Sequence, residues 1–139
     1  MDITKYMWVR YWVNYILILH VVGVDPTDEQ WHEIYDIMTQ KKILILFDNA
    51  YQGFISGDPD RDAYPIRYMT EQNALHNRQM NIMACCSFSK NFGLYGERTG
   101  CLHVVTDTTE EVETVGSVLR AISRALYRYV CCFGSVFVA

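Results

Sequence analysis

Two short apolar runs, Ile16-Leu-Ile-Leu19 and Ile43-Leu-Ile-Leu-Phe47, constrain this chain more than any other feature. Each is continuous rather than alternating and contains β-branched residues, the pattern of a strand covered on both faces. Between them stands a helix signal. Thr27 follows Pro26 as a candidate N-cap, Gln30 lies three residues on as its capping-box partner, and Trp31, Ile34, Tyr35 and Met38 recur at i, i+3, i+4 and i+7. Strand, helix and strand in this order need a crossover, so the two runs are expected to pair in parallel.

The rest of the chain continues the alternation. Ser56 to Asp62 reads as a turn-rich loop, and Ala63 to Gln72 as a short helix that Pro65 kinks or delays. The polar stretch Asn73 to Asn81 is expected to form a surface loop. Ile82 to Phe88 and Gly100 to Val105 are the third and fourth strand candidates, and the segment joining them carries Gly93 and Gly96, which lets backbone approach a ligand. A final helix opens at Thr108 or Thr109 with Glu110 and Glu111 in its first turn, where they match the helix dipole. Its apolar face is Val112, Val115, Leu119, Ile122, Leu126 and Tyr129, which calls for a sheet or a neighbouring domain to cover it. The fold class is α/β, and 139 residues amount to one domain.

Composition removes several function classes. A net charge of -4 with no stripe of Lys and Arg argues against nucleic acid as a partner. The apolar stretch Trp8 to Val24 is interrupted by Arg10, Asn14 and His20, whereas a membrane span needs about 20 consecutive apolar residues, so no membrane association is expected. The five cysteines, Cys85, Cys86, Cys101, Cys131 and Cys132, show no C-x-x-C spacing for zinc or redox work, which suits a reducing compartment.

Asp48 ends the second run, where ligands gather in open α/β sheets, although a strand-terminal Asp commonly just caps the next turn. Tyr51 has the same ambiguity. Lys90, after the third run, is open to solvation, to ion pairing or to nucleophilic work, and Arg98 to a surface ion pair or to clamping a phosphate or carboxylate.

Taken together, three segments are more specific. Phe47-Asp-Asn-Ala-Tyr-Gln-Gly-Phe54, then Ser56-Gly57-Asp58 with Arg61-Asp62-Ala63, and Ser87-Phe-Ser-Lys-Asn-Phe-Gly-Leu-Tyr-Gly-Glu-Arg98 closely resemble the class I aminotransferases of the aspartate type. Gly23-Val-Asp-Pro-Thr27 with Gln30-Trp31 is similar to the same family's upstream segment. The resemblance covers residues 16–127 and leaves 1–15 and the apolar tail 128–139 unmatched. It implies part of the large cofactor-binding domain of a fold-type-I aminotransferase, with a mixed, mostly parallel sheet flanked by helices. The implied cofactor is pyridoxal 5'-phosphate, and the implied reaction moves an amino group between aspartate and 2-oxoglutarate.

In the roles that the resemblance implies, Lys90 attaches the cofactor through its amine and carries the substrate proton. Asp48 pairs with the ring nitrogen, Tyr51 hydrogen-bonds the ring's phenolic oxygen, and Ser87 and Arg98 hold the phosphate. The family pairs its subunits as homodimers, and the expected compartment is the cytoplasm, with the mitochondrion as the alternative. The family's substrate-binding arginines are not found in this chain, so it is expected to be inactive alone. The other reading is a non-catalytic remnant that pairs with a full-length subunit.

Overall fold

The computed structural model describes residues 26–77 and 80–126, together with the backbone of 15–19. Nine elements follow in order among these residues: β1 (Tyr15–Leu19), α1 (Asp28–Lys41), β2 (Leu44–Asn49), α2 (Pro59–Asp62), α3 (Tyr64–Leu75), β3 (Ile82–Ser87), α4 (Phe88–Asn91), β4 (Gly100–Val104) and α5 (Thr109–Leu126).

Local chemistry sets the first crossover. The Thr27 hydroxyl accepts from the Gln30 amide, and the Gln30 side chain accepts from the Thr27 amide at 2.9 Å, so two orphan donors at the start of α1 are satisfied reciprocally. Lys42 ends the helix in the left-handed region, at φ 52°, with its amide turned back to Met38 and Thr39. The face of α1 that meets the sheet buries Trp31, Tyr35 and Met38, at the expected spacing, with Ile34 at its margin. The chain then returns as β2, parallel to β1 with Leu17 opposite Leu46. The mixed sheet has the order β1-β2-β3-β4, with β1, β2 and β3 parallel and β4 antiparallel to β3.

The second run departs from its expected double burial. In β2 the residues alternate: Ile45, Phe47 and Asn49 are buried, whereas Leu44, Leu46 and Asp48 are only half-buried. The buried side meets α1 and α3, where Met69, Met80, Ile82 and Ala84 complete the core. Asp48 therefore sits on the more open face of the sheet, at its carboxyl end.

Three further differences have local causes. The expected loop from Ser56 to Asp62 contains the short helix α2, because the Asp58 carboxylate caps the amides of Asp60 and Arg61 and Pro59 occupies the first turn. Pro65 also falls in the first turn, of α3, where no amide is needed, so it sets the helix start. The stretch from Asn73 is not all surface loop. α3 runs to Leu75, and Asn73 is 2% exposed, its side chain donating to the Met80 carbonyl at 2.9 Å and accepting from the Met80 amide at 3.0 Å. One carboxamide thus replaces a peptide partner for both backbone groups of Met80 and pins the start of β3 to α3.

α5 forms as expected, with the Thr108 hydroxyl accepting from the Glu111 amide and the Glu111 carboxylate accepting from the amides of Asp107 and Thr108. None of its residues is buried: Val115 and Leu119 are half-buried, and Val112, Ile122 and Leu126 are exposed. Tyr129, the unmatched tail 128–139 and all but the last residue of the unmatched segment 1–15 lie outside the described residues.

Asn73→Ala is expected to lower stability by about 1–3 kcal/mol, because it strands a buried donor and a buried acceptor together. Urea unfolding followed by circular dichroism checks this. A loss below about 0.5 kcal/mol would show that the Met80 backbone finds other partners.

Candidate active site

The parallel register of β2 and β3 sets Asp48 opposite Cys85 and Asn49 opposite Cys86, so the two strands finish side by side. Beyond them the chain diverges, into the turn that carries Tyr51 and into α4. An open groove of about 490 Å³ lies at this end, lined by Asp48, Ser87, Ser89, Arg98 and Thr99 among others. Its size suits a small molecule, and its place is where ligands bind in open α/β sheets.

Three of the five residues singled out in the sequence, Asp48, Ser87 and Arg98, therefore share one groove. Ser87 is the N-cap of α4, and its hydroxyl accepts from the Ser89 amide at 3.3 Å. Arg98 has φ 51°, a left-handed conformation that non-glycine residues seldom adopt, and its guanidinium donates to the Tyr95 carbonyl at 3.3 Å. The groove thus offers a carboxylate, a serine hydroxyl and a guanidinium.

Lys90 and Tyr51 form a second group beside it. The Lys90 ammonium lies 5.7 Å from the centre of the Tyr51 ring and 4.6 Å from that of Tyr95, so it rests against two aromatic faces and does not line the groove. Such contacts contribute about 0.5–1 kcal/mol each at exposed sites, little enough for a flexible side chain to leave. Tyr95 was not among the residues singled out. The available signal was its place five residues after Lys90 within the same matching segment. On α4 the carboxamide oxygen of Asn91 is buried with no hydrogen-bond partner among the described residues, a cost of about 1–3 kcal/mol that a donor arriving there would relieve.

The turn that carries Tyr51 is held by a residue that sequence reasoning left without a role. The Asp62 carboxylate accepts from the amides of Gly53 at 2.7 Å, Ile55 at 3.1 Å and Ser56 at 3.1 Å, and from the Ser56 hydroxyl at 2.6 Å. Gly53 has φ 88°, which allows the chain to curl around that carboxylate. Burial alone would raise the Asp62 pKa, but the hydrogen bonds from Ser56, Ile55 and Gly53 outweigh it and hold the carboxyl below its ordinary value. On the groove wall, burial pushes the thiols of Cys85 and Cys86 up, and the Asp48 charge adds to this.

A carboxyl whose folded-state pKa is depressed stabilises the fold above its unfolded pKa and loses that contribution as pH falls through the folded one. Amide exchange at Gly53, Ile55 and Ser56 is therefore expected to speed up on acidification below the ordinary carboxylate range. Asp62→Ala should show fast exchange at neutral pH already. Equal protection in the variant and the parent chain would remove Asp62 from this role.

With this geometry in view, the likeness to known proteins is specific. The aminotransferase class I and II family matches residues 20–136. The chain is 43% identical over 117 residues to the mitochondrial aspartate aminotransferase of Dictyostelium discoideum, covering 81% of this chain and 26% of that protein. Among solved structures it is similar to an aromatic-amino-acid aminotransferase from Burkholderia pseudomallei covalently bound to pyridoxal phosphate, at 33% identity and a TM-score of 0.70, covering 83% of this chain and 27% of that one. It is similar too to an aromatic amino acid aminotransferase from Psychrobacter sp. B6 cocrystallised with aspartic acid, at 34% identity and a TM-score of 0.74, covering 88% of this chain and 29% of that one. The chain thus spans about a quarter of the length of the relatives it matches. The parallel β2–β3 end, the groove upon it and the match over most of the sequence place this chain in the class I and II aminotransferase family.

Proposed function

We propose that this chain contributes the pyridoxal-phosphate half of an aspartate-type aminotransferase site, with Lys90 as the residue that attaches the cofactor. The observation that carries the reading is that Asp48, Ser87 and Arg98 line a single groove while Lys90 stands on α4, three residues beyond Ser87. The donor set fits the group. A phosphate takes a hydroxyl and a guanidinium, a protonated ring nitrogen takes a carboxylate, and an aldehyde takes a primary amine.

When bound, the cofactor supplies an electron sink for the negative charge that develops at the substrate Cα. The chain's own residues bind and position. Ser87 and Arg98 hold the phosphate by a hydroxyl and a charge-assisted fork. Asp48, at the end of β2, keeps the ring nitrogen protonated by its negative charge. Lys90, which rests beside the faces of Tyr51 and Tyr95, would hold the cofactor through its amine and would take and return the Cα proton. The Tyr51 hydroxyl orients the phenolic oxygen of the ring, and Asp62 fixes the turn from which Tyr51 projects.

The substrates in this reading are an amino acid and a 2-oxo acid, aspartate and 2-oxoglutarate by the resemblance and by the names of the relatives. Among the described residues Arg98 is the one cation lining the groove, and a phosphate held there leaves no lining charge for the substrate's carboxylates. We therefore assign the missing cations to protein beyond this groove, and the 139-residue chain alone should turn over aspartate far more slowly than its relatives. The working unit we assign to residues 16–127.

A non-catalytic role in pairing with a full-length subunit is the second reading, and the uncovered apolar residues Val112, Ile122 and Leu126 of α5 favour it. The family's homodimer belongs to the proposal in the same way. Among the described residues no helix is long and apolar enough to cross a membrane. Cysteine usage is our ground for proposing the cytoplasm, with the mitochondrion, named for several relatives, as the rival compartment.

Incubating the chain with pyridoxal 5'-phosphate, reducing with borohydride and mapping the peptides should place the label on Lys90, and Lys90→Ala should lose it. Label found mainly on Lys5, Lys41 or Lys42 would refute the assignment. A coupled assay of the same chain should give no enzyme-like, Lys90-dependent conversion of aspartate. Finding such conversion would show that the site is complete without further protein.

A further inference from the structure

We propose that Cys86 and Cys101 form a reversible cross-strand disulfide when the chain meets a peroxide, closing the segment that carries Ser87, Lys90 and Arg98 into a ring. The two residues are directly opposite each other in the antiparallel pairing of β3 with β4, both are free thiols, and both residues border the groove. Opposed residues of an antiparallel pair project to the same face, with Cα atoms about 4.5–5.5 Å apart. This lies within the range of about 4.4–6.8 Å over which a disulfide can form.

The register also selects the partner. Cys85 is adjacent in sequence but is paired with Leu102, so its side chain leaves on the opposite face of the strand. Close approach is evident one residue further along, where a Cβ built on Gly100 would lie 2.6 Å from the Cys86 carbonyl oxygen. Burial pushes the Cys86 thiol up, and Cys101 is the next cause, which agrees with their proximity.

Reversibility follows from the kind of pair. The Phe88 amide donates to the Thr99 carbonyl at 3.1 Å, and the Val105 amide to the Ile82 carbonyl at 3.0 Å. Bonded and non-bonded pairs alternate along an antiparallel ladder, so Cys86 and Cys101, two positions from Phe88 and Thr99, belong to the bonded, wider set. A disulfide there needs a local shear of the strands, and strained disulfides are the readily reduced ones.

The reaction balances with the peroxide as oxidant. Cys101 is exposed and meets it first. Its thiolate attacks one peroxide oxygen, the O–O bond breaks, and the departing hydroxide takes a proton to leave as water. The resulting sulfenic acid is attacked at sulfur by the Cys86 thiolate. The S–S bond forms, the S–O bond breaks, and a second water departs. The two sulfurs together lose two electrons, and the peroxide gains them.

The test treats the full 139-residue chain with stoichiometric hydrogen peroxide, alkylates the remaining thiols and maps the disulfides by mass spectrometry. Of the ten possible pairs among the five cysteines, the Cys86–Cys101 link should predominate, disappear with dithiothreitol, and fall several-fold when oxidation is done in urea. Cys85→Ser should leave the link in place. Cys86→Ser should abolish it and leave Cys101 as a sulfenic acid that a cyclic dione traps. A predominant link involving Cys85, Cys131 or Cys132, no link at all, or an unchanged yield in urea would overturn the proposal.

Discussion

The parallel pairing of β2 with β3 is the constraint on which the rest of this structure depends. Its register brings Asp48 level with Cys85, which leaves Ser87 and α4 just beyond the strand end that Asp48 occupies. A slip by one residue would turn Phe47 out of the core and Asp48 to the face packed by α1 and α3, where its charge would lie near Trp31 and Met69. The same register buries Ile45 and Phe47 beside Ile82 and Ala84, so core packing and site geometry are set by one set of backbone hydrogen bonds.

Two polar side chains then fix backbone that lies outside the helices and strands. Asn73 ties the approach to β3 by both backbone groups of Met80, and Asp62 gathers three amides and a hydroxyl from the turn after β2. Both act as surrogates for secondary structure where the chain has none. Through them the positions of Lys90 and Tyr51 are tied to α3 and α2, elements that do not line the groove.

What could be read from the sequence was mostly local. The capping box of Thr27 and Gln30 and the i, i+3, i+4, i+7 face of α1 encode their structure within a few residues and appear as expected, and the apolar runs of β2 and β3 form strands where expected, although Phe88 opens α4 instead of ending β3. The alternating burial of β2 did not show, because Leu44 and Leu46 are as apolar as the residues that face the core. Asn73 looked like loop polarity because its partner, Met80, lies across a turn, and Asp62 looked like one more acid in a turn-rich segment. Asp48, Ser87 and Arg98 were legible through resemblance to a family motif and not through spacing alone. The sequence could not show that they would line one groove, since that is a property of the β2–β3 register. The Cys86–Cys101 pairing was hidden for the same reason: fifteen positions separate the two, and only the antiparallel return of β4 aligns them.

Among the described residues α5 carries the most pronounced apolar stripe and yet has no fully buried residue, in a chain that spans about a quarter of its relatives' length. We propose that the strand-end groove and α4 together form a cofactor seat. A crystal structure of the chain grown with pyridoxal 5'-phosphate tests it most directly. Continuous density is expected from the Lys90 amine into the cofactor, with the ring nitrogen on the Asp48 carboxylate and the phosphate on Ser87 and Arg98. A cofactor joined to another lysine, or seated with its ring nitrogen away from Asp48, would contradict it.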